Sequence, residues 1–281
     1  MINFLAKAVS AFFFVLATTT FSNYTFAQGD TGFLRGKGHG DVVLTYGQER
    51  FDRFYAGSSS VSNPNIAKVR RGFYSLYAAY GITDEIDLGA NATFLDVNSS
   101  GVIDDESGIQ DLALYLKARL LKFDFDFGQF NVLAKPGIKL PLANYENNTP
   151  ASLGDGQIDL QARVVAQIRS HSGYYFATEA GFDKRNGSPR NQLMFSSTIG
   201  GPIVEDLYVS AFYSNVNTLG GGDIGDGTSF PAQEKDYSRV GANLFFRLTD
   251  QLGLSLTGWR TVTGKNTAKL SGLALGAVWS W

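Results

Sequence analysis

Charged side chains recur at every second position in several stretches, and that spacing is the first candidate for chemistry. Asp111, Lys117 and Arg119 share one side of the segment 109–121, and Lys135 and Lys139 share one side of 130–142. Asp159, Arg163 and Arg169 do the same in 157–169, followed by Glu179 and Asp183, then Arg239 and Arg247. Opposite charges on neighbouring strands form cross-strand ladders. If the strands close around a lumen, such ladders make a polar wall that selects solutes by charge. Lys117, Lys135, Arg163 and Glu179 are then expected near mid-height on four neighbouring strands, with Arg239 and Arg247 facing them. The alternative is that the charges only neutralise one another inside a narrow, filled barrel.

Other chemistry has weaker support. The chain has two histidines, His39 before the first strand and His171 in a predicted turn between Ser170 and Ser172. A serine nucleophile needs a base beside it, and neither histidine lies in the His-x-Ser context of barrel phospholipases or lipid A deacylases. Turn histidines are usually solvated, so no enzymatic activity is expected. Asp104-Asp105-Glu106 could hold Ca²⁺ but reads better as a solvated loop. Gly220-Gly221-Gly222-Asp223 lacks the Lys-Ser/Thr and strand–helix setting of a phosphate loop. Without cysteine there is neither a disulfide framework nor a thiolate metal site. A net charge of -2 argues against a nucleic-acid partner. No cofactor or metal is expected.

The elements that must position the charges are strands. In 109–121, Leu112, Leu114, Leu116, Ala118 and Leu120 take one face, and Asp111, Tyr115, Lys117 and Arg119 the other. In 157–169, Ile158, Leu160, Ala162, Val164, Ala166 and Ile168 alternate with Asp159, Gln161, Arg163, Gln167 and Arg169. A helix would mix the two sets around its circumference, whereas a strand separates them. Similar segments near 40–55, 68–80, 86–97, 174–183, 191–199, 207–216, 237–248, 252–262 and the C-terminus bring the expected number to about twelve strands.

Three features turn this all-β reading into a membrane barrel. Residues 1–27 have a basic start, an apolar Ala8–Phe21 stretch and small residues at Thr25 and Ala27, which is the pattern of a secretory signal peptide. Tight turns (83–85, 170–172, 249–251) alternate with long polar connections (56–67, 98–108, 143–156, 217–235), as in outer-membrane barrels with short periplasmic turns. Finally, Leu273, Leu275, Trp279 and Trp281 put a lipid-facing aromatic strand at the end of the chain, suited to pair with the first. Strands crossing hydrocarbon must close, because no backbone group can be left unpaired there. The expected organisation is a signal peptide over 1–27 and a segment over 28–39 that either plugs the lumen or trails into the periplasm. A transmembrane antiparallel up-and-down β-barrel follows over 40–281.

The ordered motifs Gly36-Lys37-Gly38, Tyr77-Ala78-Ala79-Tyr80-Gly81-Ile82-Thr83-Asp84, Gly108-Ile109-Gln110-Asp111-Leu112, Lys117-Ala118-Arg119-Leu120, Gly137-Ile138-Lys139-Leu140-Pro141 and Leu153–Leu160 resemble the outer-membrane family "MetA-pathway of phenol degradation". The resemblance covers most of 36–281. It implies an outer-membrane channel or transporter for passive uptake of small molecules, with aromatic or hydrophobic compounds among the candidates. The last strand resembles the signal read by the barrel assembly machinery, which joins outer-membrane lipid and a small-molecule solute as expected partners. The runner-up is a non-conducting barrel with a structural or partner-binding role.

Overall fold

The computed structural model describes residues 29–62, 68–100, 105–144, 152–154 and 156–281; the expected signal peptide lies outside them. Fifteen strands occur in these residues: β1 (Gly40–Phe51), β2 (Phe54–Ala56), β3 (Ser59–Val61), β4 (Val69–Gly81), β5 (Ile86–Ser99), β6 (Glu106–Ile109), β7 (Leu112–Phe125) and β8 (Gly128–Leu140). Then come β9 (Asp159–Ser170), β10 (Tyr175–Arg185), β11 (Gln192–Val204), β12 (Leu207–Thr218), β13 (Asp236–Arg247), β14 (Leu252–Lys265) and β15 (Ser271–Ser280). Twelve of them pair antiparallel in one ring, which β1–β15 and β4–β5 close. The three short strands, β2, β3 and β6, belong to the long-loop end.

The alternation in sequence becomes the two faces of the wall. On β9, Leu160 and Val164 are exposed outward while Asp159, Val165 and Gln167 are buried inside. Around the ring Leu44, Leu76, Leu88, Leu114, Ile199, Leu244, Leu254, Leu273 and Leu275 stand exposed on the outer surface. An outer belt this apolar in a ring without sheet edges is stable only in hydrocarbon. Tyr80, Tyr174, Phe176 and Trp279 lie exposed toward the short-turn end, and Tyr46 and Tyr74 toward the other. Aromatic girdles at the two interfaces account for both sets.

Some boundaries differ from expectation. The strand predicted from Ile109 begins at Leu112, and Ile109 instead ends β6, which pairs with β5. Asp111 therefore precedes the strand that was expected to carry it. A register shift between Arg119 and Leu121 then changes the alternation of β7. The predicted plain loop over 56–67 includes the β2–β3 hairpin. Short turns also occur at Asp126–Phe127 and Glu205–Asp206, two positions the sequence did not flag.

The interior is not uniformly polar. At the long-loop end, Phe51, Phe73, Phe212, Trp259, Leu270 and Ala274 pack in one buried apolar cluster. Strands β7–β10, on another side of the ring, carry most of the inward charge pairs. The segment before β1 lies inside the barrel: Phe33 packs edge-on against Tyr175 with ring centroids 5.1 Å apart, and Leu34 packs with Leu133 and Val165. Of the two expectations for this segment, lumenal or trailing, the described part is lumenal.

Candidate functional site

The lumenal segment is held by charge as well as by packing. Asp30 lies 3.4 Å from the Lys117 ammonium and 3.2 Å from that of Lys135. Lys117 also donates to the Phe33 carbonyl at 2.6 Å, and the Gln167 amide donates to the Thr31 carbonyl at 2.6 Å. Further down, Arg35 pairs with Asp41 at 2.5 Å, and its backbone N–H donates to both Asp87 carboxylate oxygens at 3.2 Å. Arg35, Asp41, Asp87 and Lys117 are all buried. Paired buried charges are costly to separate, because removing one partner leaves the other without compensation. The segment is thus fastened at two heights.

The close approach needs small residues at the contact. Gly36 (φ +81°) turns beside Gly81, where any Cβ on Gly81 would collide with the Gly36 carbonyl. Gly32 (φ +80°) passes Leu133, Val165 and Gln167 in the same way. Both use left-handed backbone that only glycine enters at low cost.

Above this segment charged side chains of β8, β9 and β10 come together. Glu179 lies 3.2 Å from Lys135 and 4.0 Å from Arg163. Arg163 pairs with Asp183 at 3.0 Å. Lys139 bridges Asp111 at 3.3 Å and Asp159 at 2.6 Å, and Arg185 reaches Asp159 at 3.6 Å. The register explains the convergence: Lys135 faces Arg163 across β8–β9, and Arg163 faces Gly181 across β9–β10, where the absent side chain leaves room. Of these, Lys135, Lys139, Arg163, Glu179 and Asp183 border a chamber of about 330 Å³ that also touches Asp30, Tyr77, Tyr115, Tyr237 and Arg239. Tyr77 and Tyr115 are joined through their hydroxyls. The Arg239 guanidinium sits 4.4 Å from the Tyr237 ring centroid.

Three of the expected wall residues sit lower. Arg169 stacks over Phe33, 5.8 Å from its centroid, beside the lumenal segment. Arg119 pairs with Glu85 at 3.2 Å and Arg247 with Asp206 at 2.8 Å. Both carboxylates belong to short turns, so Arg119 and Arg247 occupy the periplasmic rim rather than the wall. At the strand ends Leu273, Leu275 and Trp279 face outward as expected, and Trp281 bonds to Gly40 just past β15. His39 Nδ1 lies 3.0 Å from the Trp281 carbonyl, and Asp105 accepts the Ser99 N–H in a loop. Asp104 lies outside the described residues.

Sequence reasoning missed Asp30, Arg35, Asp41 and Asp87, which fasten the segment, and the inward aromatics Phe73, Phe212 and Trp259. Only the glycines around Lys37 hinted at the first group.

The family model described as "Putative MetA-pathway of phenol degradation" matches residues 57–276. The chain belongs to that family. No curated protein matches the sequence. Among solved structures, the COG4313 outer membrane channel from Pseudomonas putida F1 is 18% identical, with a TM-score of 0.75 over 92% of this chain and 100% of that one. The KdgM porin in complex with disordered oligogalacturonate is 8% identical over 85% and 99% of the two chains, with a TM-score of 0.49. The translocator domain of the autotransporter NalP from Neisseria meningitidis is 10% identical over 98% and 95%, with a TM-score of 0.46. The first likeness places this member of the phenol-degradation MetA family among outer-membrane barrels by fold.

Proposed function

We propose that the protein is a non-enzymatic outer-membrane channel for passive uptake of small molecules, aromatic or hydrophobic ones included. The observation that carries this reading is the division of the interior. A chamber lined by ion pairs and by Tyr77, Tyr115 and Tyr237 sits on one side, and buried aromatics at the long-loop end occupy the other. A solute with an aromatic body and a polar group matches such a lining, because rings stack on rings while the polar group meets fixed charges. The barrel cations that line this chamber are Lys135, Lys139, Arg163 and Arg239. Membership of a family named for phenol degradation agrees with this solute class.

A second reading has its own support. The segment from Gly29 to Gly38 fills the lower lumen, which favours a barrel that is closed at rest and acts in the envelope through its loops or shape. Swelling of liposomes that hold the full chain separates the two. Faster entry of phenol-sized aromatic solutes than of the protein-free background supports a channel. No acceleration of neutral, anionic or aromatic solutes would overturn it.

A further inference from the structure

On the outer surface, the positions that face lipid across β4, β1, β15 and β14 fall into rows fixed by the strand register. One row reads Tyr74, Tyr46, Leu275 and Leu256, and the next toward the long loops reads Gly72, Gln48, Leu273 and Gly258. The row above that is Arg70, Arg50, Ser271 and Arg260. All three arginines are exposed, and none has an ion-pair partner among the described residues. Two exposed carboxylates lie nearby, Asp96 opposite Gly72 on β5 and Asp52 two residues after Arg50, and neither forms an ion pair with these arginines. Arg50 and Arg70 are direct cross-strand neighbours, an arrangement that destabilises a sheet when nothing lies between the charges. Below them the small side of the wall forms a hollow of about 500 Å³ bordered by Tyr46, Gln48, Arg50, Ser271, Leu273 and Leu275.

We infer that this face binds the phosphorylated glycolipid of the outer leaflet, with phosphate on Arg50, Arg70 and Arg260 and an acyl chain in the hollow beneath. The height is the reason. The row stands where the apolar belt ends on the loop side, which is the extracellular side because the short turns, periplasmic in such barrels, lie opposite. The lipid surface at that height in an outer membrane is lipid A, whose glucosamine phosphates are dianionic or nearly so. Guanidinium groups bind phosphate through paired N–H donors, and an anion between Arg50 and Arg70 converts their repulsion into attraction. The inference rests on the outer-membrane location and not on conduction.

The test uses the full chain in zwitterionic lipid nanodiscs, with bis-phosphorylated lipid A as probe and retention read by native mass spectrometry. Wild type should retain it, and the triple variant Arg50→Gln/Arg70→Gln/Arg260→Gln should bind about tenfold less tightly or weaker. Dephosphorylated lipid A should bind both proteins at the level of the triple variant. Arg→Lys replacements should recover only part of the affinity, since the paired geometry is lost. Equal binding of the two lipid A forms, preference for phosphatidylglycerol, or displacement by millimolar inorganic phosphate would overturn the assignment. Heat-modifiable migration certifies folding; should the triple variant fail it, the three single variants carry the same comparison.

Discussion

Gly40 and Trp281 exchange two backbone hydrogen bonds, each 3.1 Å from nitrogen to oxygen. They join the first residue of β1 to the residue after β15, and the ladder continues through Asp41 opposite Ser280 and Val42 opposite Trp279. Beside that seam the Trp281 indole fills the space a Cβ on Gly40 would need. The last residue is therefore part of the closure and not an overhang.

Deleting Trp281 should impair assembly more than the stability of a barrel already folded. The two lost hydrogen bonds are worth about 1 kcal/mol each net, a modest addition to the seam's ten paired positions from Asp41 to Arg50. Closure, however, requires that the last strand find the first. The expected result is a marked fall in heat-modifiable protein in outer-membrane fractions, with a small drop in melting temperature of the refolded barrel. Equal assembly of the truncated chain would count against the seam as the assembly signal.

Replacing Asp30 by Asn should loosen the lumenal segment and raise single-channel conductance in planar bilayers several-fold. Lys117 and Lys135 both converge on this carboxylate. Removing one member of such a buried set costs roughly 3–5 kcal/mol where the rest stays buried. Detachment of the segment lets the lysines reach water and relieves that cost. Unchanged conductance would mean that the packing of Phe33 and Leu34 holds the segment by itself.

How far the sequence could be read follows from which of its signals are local. The strands of 157–169 and 130–142 were legible because apolar and charged residues separate cleanly by parity, and parity is what a strand turns into two faces. The lumenal position of Lys135, Arg163, Glu179 and Asp183 follows at once. Phe73, Phe212 and Trp259 were not legible, because Tyr74, Leu76 and Tyr213 on the opposite parity are just as apolar. Nothing in such a strand says which face is outside. Arg119 and Arg247 point to the correct side but are captured by Glu85 and Asp206, carboxylates in turns whose height parity does not encode. The fastening of Asp30 and Arg35 depends on partners up to 149 residues away, as with Asp30 and Glu179, and has no local pattern at all.

Replacing Gly81 by Val should unseat the same segment from its lower end. The Gly36 carbonyl occupies the place of the missing Cβ, and Gly81 accepts from the Gly38 N–H at 2.9 Å. Overpacking of this kind costs about 1–3 kcal/mol. Limited proteolysis should cut the variant near Lys37 faster than wild type, while β4 and β5 remain protected. Identical cleavage of the two proteins would show that the backbone accommodates the side chain without releasing the segment.

Arg163→Ala should make the channel more cation-selective. Arg163 stands between Glu179 at 4.0 Å and Asp183 at 3.0 Å, with Lys135 as the only other described cation within ion-pair distance of Glu179. Its removal takes one positive charge from the chamber wall and leaves Asp183 without its ion-pair partner, and a narrow lumen with low-dielectric walls concentrates the effect of that one charge. Under a salt gradient the reversal potential should shift toward the cation limit, and the shift should shrink as ionic strength rises and screening shortens. Arg239→Ala, which removes a cation stacked on Tyr237 rather than paired with acid, should act in the same direction. A wall that only neutralises itself inside a filled barrel would leave both variants with the wild-type reversal potential.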